Sequence, residues 1–217
     1  MKHKTTFKPI VISIVLSILL ITTAVFFLRH HKSIPSIDTV FLQQKITEPE
    51  GPSPQIVQSA RNQIGKTLRY DPAYTKLTYP MGDVPMEKGV CTDVVIRALR
   101  EQNIDLQALV HQDMSRNFSV YPKRWGLKQP DTNIDHRRVP NLITYFTRQG
   151  WVVQDTNYQA GDIVTWELKG NRPHIGIVSD RKIGDRPLII HNIGSGTRED
   201  DILYHYTITG HFRLPVQ

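Results

Sequence analysis

The chain contains a single cysteine, Cys91, which follows Gly89-Val90 and opens a stretch with apolar residues at helical spacing. A thiol at the first residue of a helix lies at the positive end of the helix dipole, which favours the thiolate and lowers the pKa. Because thiolates attack carbonyl carbons, this position predicts a nucleophile. The alternative is a small core residue, since free cysteines are among the most buried residue types.

A nucleophilic thiol needs a base that accepts its proton and delivers it to the leaving group. The candidate base is His174, in the strand-like segment Arg172-Pro173-His174-Ile175-Gly176-Ile177-Val178. Alternation along a strand turns His174, Gly176 and Val178 to one face. We expect the helix of Cys91 to pack on that face, where Gly176 leaves room for close approach. The alternative is a hydrogen-bonded strand histidine without a catalytic role.

The base in turn needs a residue that bonds one ring nitrogen and so turns the other toward the thiol. The next strand-like segment, Leu188-Ile189-Ile190-His191-Asn192, offers two such residues. His191 and Asn192 are adjacent and point to opposite faces of a regular strand, so only one of them can contact the base. The sequence leaves this choice open, because the connection between the two segments does not fix their register.

A second polar cluster, Asp135-His136-Arg137-Arg138, lies between two predicted helices. Adjacent arginines are suited to clamping a substrate carboxylate, or to bracing carboxylates of the fold itself. The chain has nine histidines, but we find no H-E-x-x-H or cysteine-paired spacing among them. We therefore expect neither a metal ion nor another cofactor.

Two kinds of periodicity divide the folded region. Apolar residues at helical spacing predict four helices, within 54–64, 91–99, 106–114 and 140–149. Short β-branched segments separated by turn residues then predict strands within 151–153, 162–168, 174–179 and 188–193. Short connections imply an antiparallel sheet. The sequence thus predicts an α+β fold in which the helices pack on one side of the sheet.

The N-terminal segment 1–32 is predicted to be a membrane anchor. Residues 9–28 carry no charge, are rich in Ile, Val, Leu and Phe, and are long enough to cross a hydrocarbon core as a helix. Proline-rich residues 33–54 predict a linker, and 55–217 form the predicted domain. We expect a single-pass protein of the cytoplasmic membrane with this domain outside the cytoplasm. The alternative is a signal peptide whose cleavage releases a secreted domain.

The formal net charge of +7 arises mainly in the same segment. Five of the 27 Lys and Arg residues lie within 1–32, which contains no Asp or Glu, so the remainder has 22 basic against 20 acidic residues. A nearly neutral domain lacks the basic surface that binds a phosphate backbone. We therefore expect no nucleic-acid partner, and we expect a monomer.

The order of these motifs resembles that of the NlpC-type cell-wall cysteine peptidases, which have a papain-like core. A cysteine opens a helix, Gly161-Asp162 precedes one strand, His174-Ile175-Gly176-Ile177 forms the next, and His191 lies on a third. Residues 55–217 also resemble the YijF-like bacterial proteins, a group of unknown function. The segments that carry this second resemblance are Gly89 to Arg97 and Asp135 to Asn141.

The resemblance to the peptidases implies a role for each residue. Cys91 is the nucleophile, His174 is the base, and His191 orients the base. Tyr70 corresponds to a tyrosine that contacts substrate. The chain departs from the family at Val90, where the peptidases have an acidic residue that binds the free amine of a peptide.

The implied activity is hydrolysis of an amide bond in the cell envelope, with a cell-wall peptide as substrate. Two alternatives stay open. Relatives with the same core act on lipid acyl groups, and a domain tethered to a bilayer is well placed to reach an envelope lipid. A non-catalytic binding module would keep the fold and would have a buried, unreactive Cys91.

Overall fold

The computed structural model describes residues 46–51 and 54–215. Within these residues four α-helices precede all strands of the main antiparallel sheet except its first, short strand. They are α1 (Gln55–Arg61), α2 (Cys91–Arg100), α3 (Leu106–Asn117) and α4 (Val139–Arg148). The predicted α+β class is confirmed, as are the four helices and the antiparallel sheet.

The strands form two sheets. A small parallel sheet pairs β2 (Arg69–Tyr70) with β3 (Lys88–Gly89). The strands of the large sheet are β1 (Ile46–Thr47), β4 (Ile163–Leu168), β5 (Arg172–Ile183), β6 (Arg186–His191), β7 (Arg198–Asp200) and β8 (Thr207–Phe212). Their order is β7–β6–β5–β4–β8, with β1 paired to β5, and all of these pairings are antiparallel.

The strand boundaries differ from those that the sequence predicts. β5 is twice as long as the predicted segment 174–179, because the turns on either side are tighter than expected. Gly170, Asn171 and Gly184 adopt positive φ, which closes these turns in few residues. The predicted strand 151–153 contributes only an isolated bridge between Val152 and Phe212.

The two faces of the large sheet have different cores. All four helices contribute to the core on the face that carries Ile163, Ile175, Ile177 and Ile190, and α3 joins it through its contacts with α2 and α4. The opposite face carries Val164, Trp166, Leu168, Val178 and Ile189, and Leu203 packs against it. The prediction that the helix of Cys91 packs on the face of His174, Gly176 and Val178 is therefore wrong. The helices bury the two isoleucines instead, because these offer more apolar surface than a histidine and a glycine.

The predicted linker contributes to the sheet. Ile46 and Thr47 pair with Ile183 and Lys182, and the carboxylate of Glu48 lies 2.8 Å from the Arg181 guanidinium. The predicted anchor and most of the predicted linker lie outside the described residues. Among the residues that are described, no helix combines the length and the apolar character needed to cross a membrane.

Candidate active site

The polar cap at the start of α2 fixes the position of Cys91. The carboxylate of Asp93 accepts a hydrogen bond of 2.6 Å from the backbone N–H of Val90, which is in an extended conformation just before the helix. An acidic residue in the first turn also interacts favourably with the helix dipole. The prediction that Cys91 opens a helix is confirmed.

The thiol of Cys91 is buried, with 4% of the residue exposed. Burial raises its pKa to about 11, and the charge of Asp93 acts in the same direction. The backbone N–H groups of Ile175 and Thr92 and the Tyr70 hydroxyl lower the pKa, but they do not offset burial. The expected lowering of the pKa by the helix terminus is therefore wrong, because desolvation of a charged sulfur outweighs the dipole.

His174 lies near the start of β5 and is 2% exposed. Its Nε2 lies 3.0 Å from Nδ1 of His191, and its ring packs against Trp166 with 5.8 Å between centroids. Burial, followed by the proximity of His191, lowers the pKa of His174 to about 3, so the ring is neutral at physiological pH. Its Nδ1 has no hydrogen-bond partner among the described residues. A neutral imidazole with an unused nitrogen is able to accept a proton.

Cys91 and His174 approach each other through the backbone of β5. The thiol lies beside the N–H of Ile175, the residue after His174. In the described part of the chain no hydrogen bond joins the thiol to the imidazole, whose ring is on the opposite face of the strand from Ile175. The structure thus brings the predicted nucleophile and base to the same end of β5 without direct contact.

The choice between His191 and Asn192 is resolved by their contacts. His191 meets His174, whereas the side-chain amide of Asn192 donates hydrogen bonds to the carbonyls of Gly89 (3.1 Å) and Arg69 (3.4 Å). These carbonyls belong to β3 and β2, so Asn192 ties the segments that lead to Cys91 and Tyr70 to the end of β6. Of the two residues, it is His191 that contacts the predicted base.

Gly176 allows β6 to bring His191 to His174. A methyl group at Gly176 would lie 2.6 Å from Ile189 Cγ2 and 3.1 Å from His191 Cβ. The glycine is thus required for close approach of the neighbouring strand, and not of α2 as the sequence suggests. This fixes the separation of the two imidazoles.

Asp200 is a member of the site that the sequence does not reveal. Its Oδ2 lies 3.4 Å from Nε2 of His191, and the interaction with His191 is the main reason why the pKa of Asp200 is lowered. Asp200 ends β7, a strand of three charged residues without the apolar alternation that predicts strands. The only local signals are Gly194 and Gly196, which are typical of a turn that returns the chain to β6.

Tyr70 ends β2 and lies next to the buried thiol. Burial is the largest cause that raises its pKa, and the charge and hydrogen bonding of the Cys91 thiolate come next. The side chain remains 39% exposed. Tyr70 therefore adjoins both the sulfur and solvent, and its contact with a substrate stays a prediction.

The arginines of the cluster 135–138 brace carboxylates of the fold, which was one of the two interpretations left open. Arg137 binds both oxygens of Asp93 at 2.9 Å, and Arg138 binds Asp135 at 3.0 Å. The neighbouring His136 is buried, and burial lowers its pKa to about 4. Asp93 is therefore fully engaged by the backbone and by Arg137.

The described residues contain no group of three or more His, Cys, Asp or Glu side chains that could hold a metal ion.

The fold and the site define the class of this protein. It is an α+β domain with a cysteine at the start of a helix and a histidine pair on adjacent strands. Residues 57–214 match the family described as "Domain of unknown function (DUF1287)", and the chain belongs to this family. It is also similar to "Uncharacterized protein YijF" of Escherichia coli (strain K12). The two are 52% identical over 198 residues, which cover 84% of this chain and 96% of the relative. The resemblance to YijF-like proteins is thereby confirmed.

Proposed function

We propose that the chain is a cysteine hydrolase of the cell envelope, with a papain-like core of the NlpC type. The observation that carries the proposal is the pairing of His174 with His191 at 3.0 Å, which leaves Nδ1 of His174 unused one residue from the backbone N–H that meets the Cys91 thiol. A nucleophile, a base and a residue that orients the base are the parts that covalent acyl transfer requires.

The proposed reaction has two steps. The sulfur of Cys91 bonds to the amide carbonyl carbon while its proton passes to Nδ1 of His174. The carbon–nitrogen bond then breaks, and the same proton leaves on the amine. Water hydrolyses the resulting thioester and restores the thiol, with His174 again accepting and returning a proton. The N–H groups of Cys91 and Thr92, at the start of α2, have no backbone acceptor within the helix and stabilise the oxyanion.

The raised pKa of Cys91 and the lowered pKa of His174 define the resting state of this pair. Both groups are neutral near pH 7, so no thiolate–imidazolium pair is stored in the free protein. Proton transfer must then accompany attack, and it requires the start of β5 to rearrange, because the His174 ring lies on the opposite face of the strand from Ile175, whose N–H meets the thiol. Catalytic hydrogen bonds are often long in the free enzyme and shorten when substrate binds.

The contacts of Asp93 narrow the proposed substrate. Its carboxylate is buried and accepts the Val90 N–H and two hydrogen bonds from Arg137, so it is held by the fold and is not exposed to a free amine. The acid that precedes the cysteine in the peptidases is replaced by Val90. We therefore propose an amide inside a peptidoglycan peptide as substrate, and not the bond next to a peptide's amino terminus. The predicted anchor supports a location in the envelope.

A non-catalytic envelope-binding module is the second candidate, because one observation favours it. Cys91 is 4% exposed and its pKa is raised to about 11, as expected of a structural thiol. The two candidates differ in whether the thiol becomes reactive when a ligand occupies the site.

Mass spectrometry of substrate mixtures tests the proposal. The full chain and its Cys91→Ala variant are incubated separately with muropeptides and with phospholipids. Hydrolysis of a muropeptide amide by the wild type alone supports the proposal, whereas a change confined to phospholipids redirects the activity to lipid acyl groups. If neither pool changes, and if iodoacetamide alkylates Cys91 no faster with muropeptides present, the binding module is correct.

A further inference from the structure

Three polar groups form a continuous chain that ends at the proposed base. The carboxylate Oδ2 of Asp200 lies 3.4 Å from Nε2 of His191, and Nδ1 of His191 lies 3.0 Å from Nε2 of His174. His191 is fully buried, and its Nε2 makes no well-aligned hydrogen bond within the described residues. The ring therefore has a carboxylate on one side and a second imidazole on the other.

We propose that Asp200 sets the tautomers of both histidines and thereby makes Nδ1 of His174 the basic nitrogen. This role of Asp200 rests on the proposed function, because it concerns the base of that site. It makes Asp200 a positioning residue, since its carboxylate is separated from the thiol by two imidazole rings.

The tautomers follow from the order of donors and acceptors. An ionised carboxylate only accepts, so Asp200 favours the proton of His191 on Nε2. A neutral ring carries one proton, so Nδ1 of His191 must then accept, and Nε2 of His174 must donate to it. The proton of His174 is thereby fixed on Nε2, and Nδ1 keeps its lone pair. In the opposite arrangement Nδ1 of His174 carries the proton and is unable to take one from Cys91.

The charged surroundings keep Asp200 ionised. Nε of Arg198 lies 3.4 Å from the same Oδ2 atom, and the interaction with His191 is the largest cause that lowers the pKa of Asp200. Asp200 of β7 thus lies beside His191 and is itself accompanied by Arg198, and the neutral indole of Trp166 from β4 packs against His174. At 3.4 Å the carboxylate acts on His191 mainly through its charge, because the distance is beyond that of a typical hydrogen bond.

Nitrogen NMR of the full chain labelled with ¹⁵N-histidine tests the proposal directly. Protonated and bare ring nitrogens have distinct chemical shifts, and His174→Gln and His191→Gln assign the signals. At pH 7 we expect both rings to carry their proton on Nε2. A wild-type spectrum in which Nδ1 of His174 is protonated would overturn the proposal, whether or not any variant folds.

The variant Asp200→Asn tests whether Asp200 is what sets the tautomers of the two histidines. Its amide is able to donate to Nε2 of His191, so we expect both rings to move their proton to Nδ1. Hydrolysis of the muropeptide amide that the wild type cleaves should fall by about 10²- to 10⁴-fold, the usual contribution of a general base. The matched control is Asp201→Asn, which removes a contact with Arg186 and should leave both tautomers unchanged. Unchanged tautomers in Asp200→Asn would contradict the proposal.

The two proposals fail in different ways. If the tautomers are as expected but Cys91 never acts on a substrate, the proposed role of Asp200 stands and the proposal of a hydrolase is wrong. If Cys91-dependent hydrolysis is found but Asp200→Asn leaves the tautomers and the rate unaltered, the hydrolase stands and the role of Asp200 is wrong.

Discussion

Two histidine–carboxylate clusters lie on the main sheet, and they differ in what their imidazoles leave unused. His211 on β8 places Nε2 at 2.6 Å from Asp162 and Nδ1 at 3.2 Å from the carbonyl of Asp155, so both ring nitrogens face oxygen atoms. His174 uses only Nε2, and its Nδ1 has no partner among the described residues. Both histidines are buried, and both lie on strands next to β4.

The carboxylates of the two clusters explain this difference. Burial acts to raise the pKa of Asp162, but hydrogen bonds from Arg213 and His211 outweigh it and lower the pKa. Asp162 thereby ties β8 and the segment after it to the start of β4. Asp200 has fewer contacts and is half-buried. Its carboxylate lies 3.4 Å from His191, whose other ring nitrogen lies 3.0 Å from His174. In the first cluster both nitrogens of His211 have oxygen neighbours, whereas in the second Nδ1 of His174 and Nε2 of His191 make no well-aligned hydrogen bond among the described residues.

Replacing His174 or His211 by glutamine should give the largest effects. The two variants should separate a role in hydrolysis from a role in stability. His174→Gln should lower muropeptide hydrolysis by about 10²- to 10⁴-fold, because the base is lost. His211→Gln should lower the free energy of unfolding by about 1.5–3 kcal/mol, because a buried hydrogen bond to a charged group is lost. Mass-spectrometric rates per folded molecule and urea unfolding check the two outcomes. Equal losses of activity in the two folded variants would contradict the comparison.

The stability of the domain should fall below pH 6.5, because His174 and His136 are buried in the neutral form. Their pKa values are lowered to about 3 and about 4, so on acidification the unfolded chain binds protons that the folded chain does not. Each histidine should therefore remove about 1.4 kcal/mol of unfolding free energy per pH unit between pH 6.5 and its folded pKa. Unfolding by urea between pH 4.5 and 7 measures this slope.

Single variants show which histidines cause the change of unfolding free energy with pH. His174→Gln should reduce it by about 1.4 kcal/mol per pH unit, since one proton-linked group is removed. The exposed His205 is the matched control, and His205→Gln should leave the slope unchanged. A His174→Gln variant with the slope of the wild type would show that the ring is not held neutral.

Local sequence signals predicted the four helices and the strands β4, β5 and β6, but they did not predict the other strands or the packing of the elements. The start of α2 at Cys91 follows from apolar spacing, and the α+β order follows from the change of period after residue 150. The face that α2 covers does not, because both faces of β5 are apolar, with Ile175 and Ile177 on one and Val178 on the other. A pattern of period two describes a strand with two buried faces and does not say which one meets a helix.

The same distinction applies to the site. The sequence left open whether His191 or Asn192 meets His174, and the structure places His191 there. The pKa of Cys91 was expected to fall because a helix terminus is a local feature, but its burial depends on residues far along the chain. Asp200 was missed because a strand of three charged residues has no apolar period, and only its pairing with β6 places it beside His191.

The substitution Gly176→Ala should separate the two imidazoles without altering either. The added methyl group would lie 2.6 Å from Ile189 Cγ2 and 3.1 Å from the Ile190 carbonyl oxygen and from His191 Cβ, so β6 must move away. We expect a loss of about 1–3 kcal/mol in the free energy of unfolding, which is typical of an overpacked core. We also expect slower hydrolysis, because His191 is drawn away from His174.

The matched control is Gly194→Ala, in the turn between β6 and β7. An added methyl group there would have no atom within 4 Å, so the free energy of unfolding should change by about 0.5 kcal/mol or less. Urea unfolding and ¹⁵N spectra of the histidines compare the two variants. If Gly176→Ala keeps the tautomers and the hydrolysis rate of the wild type, the 3.0 Å contact between the rings is not what prepares His174 as a base. The functional difference from His211 would then rest on the unused nitrogen alone.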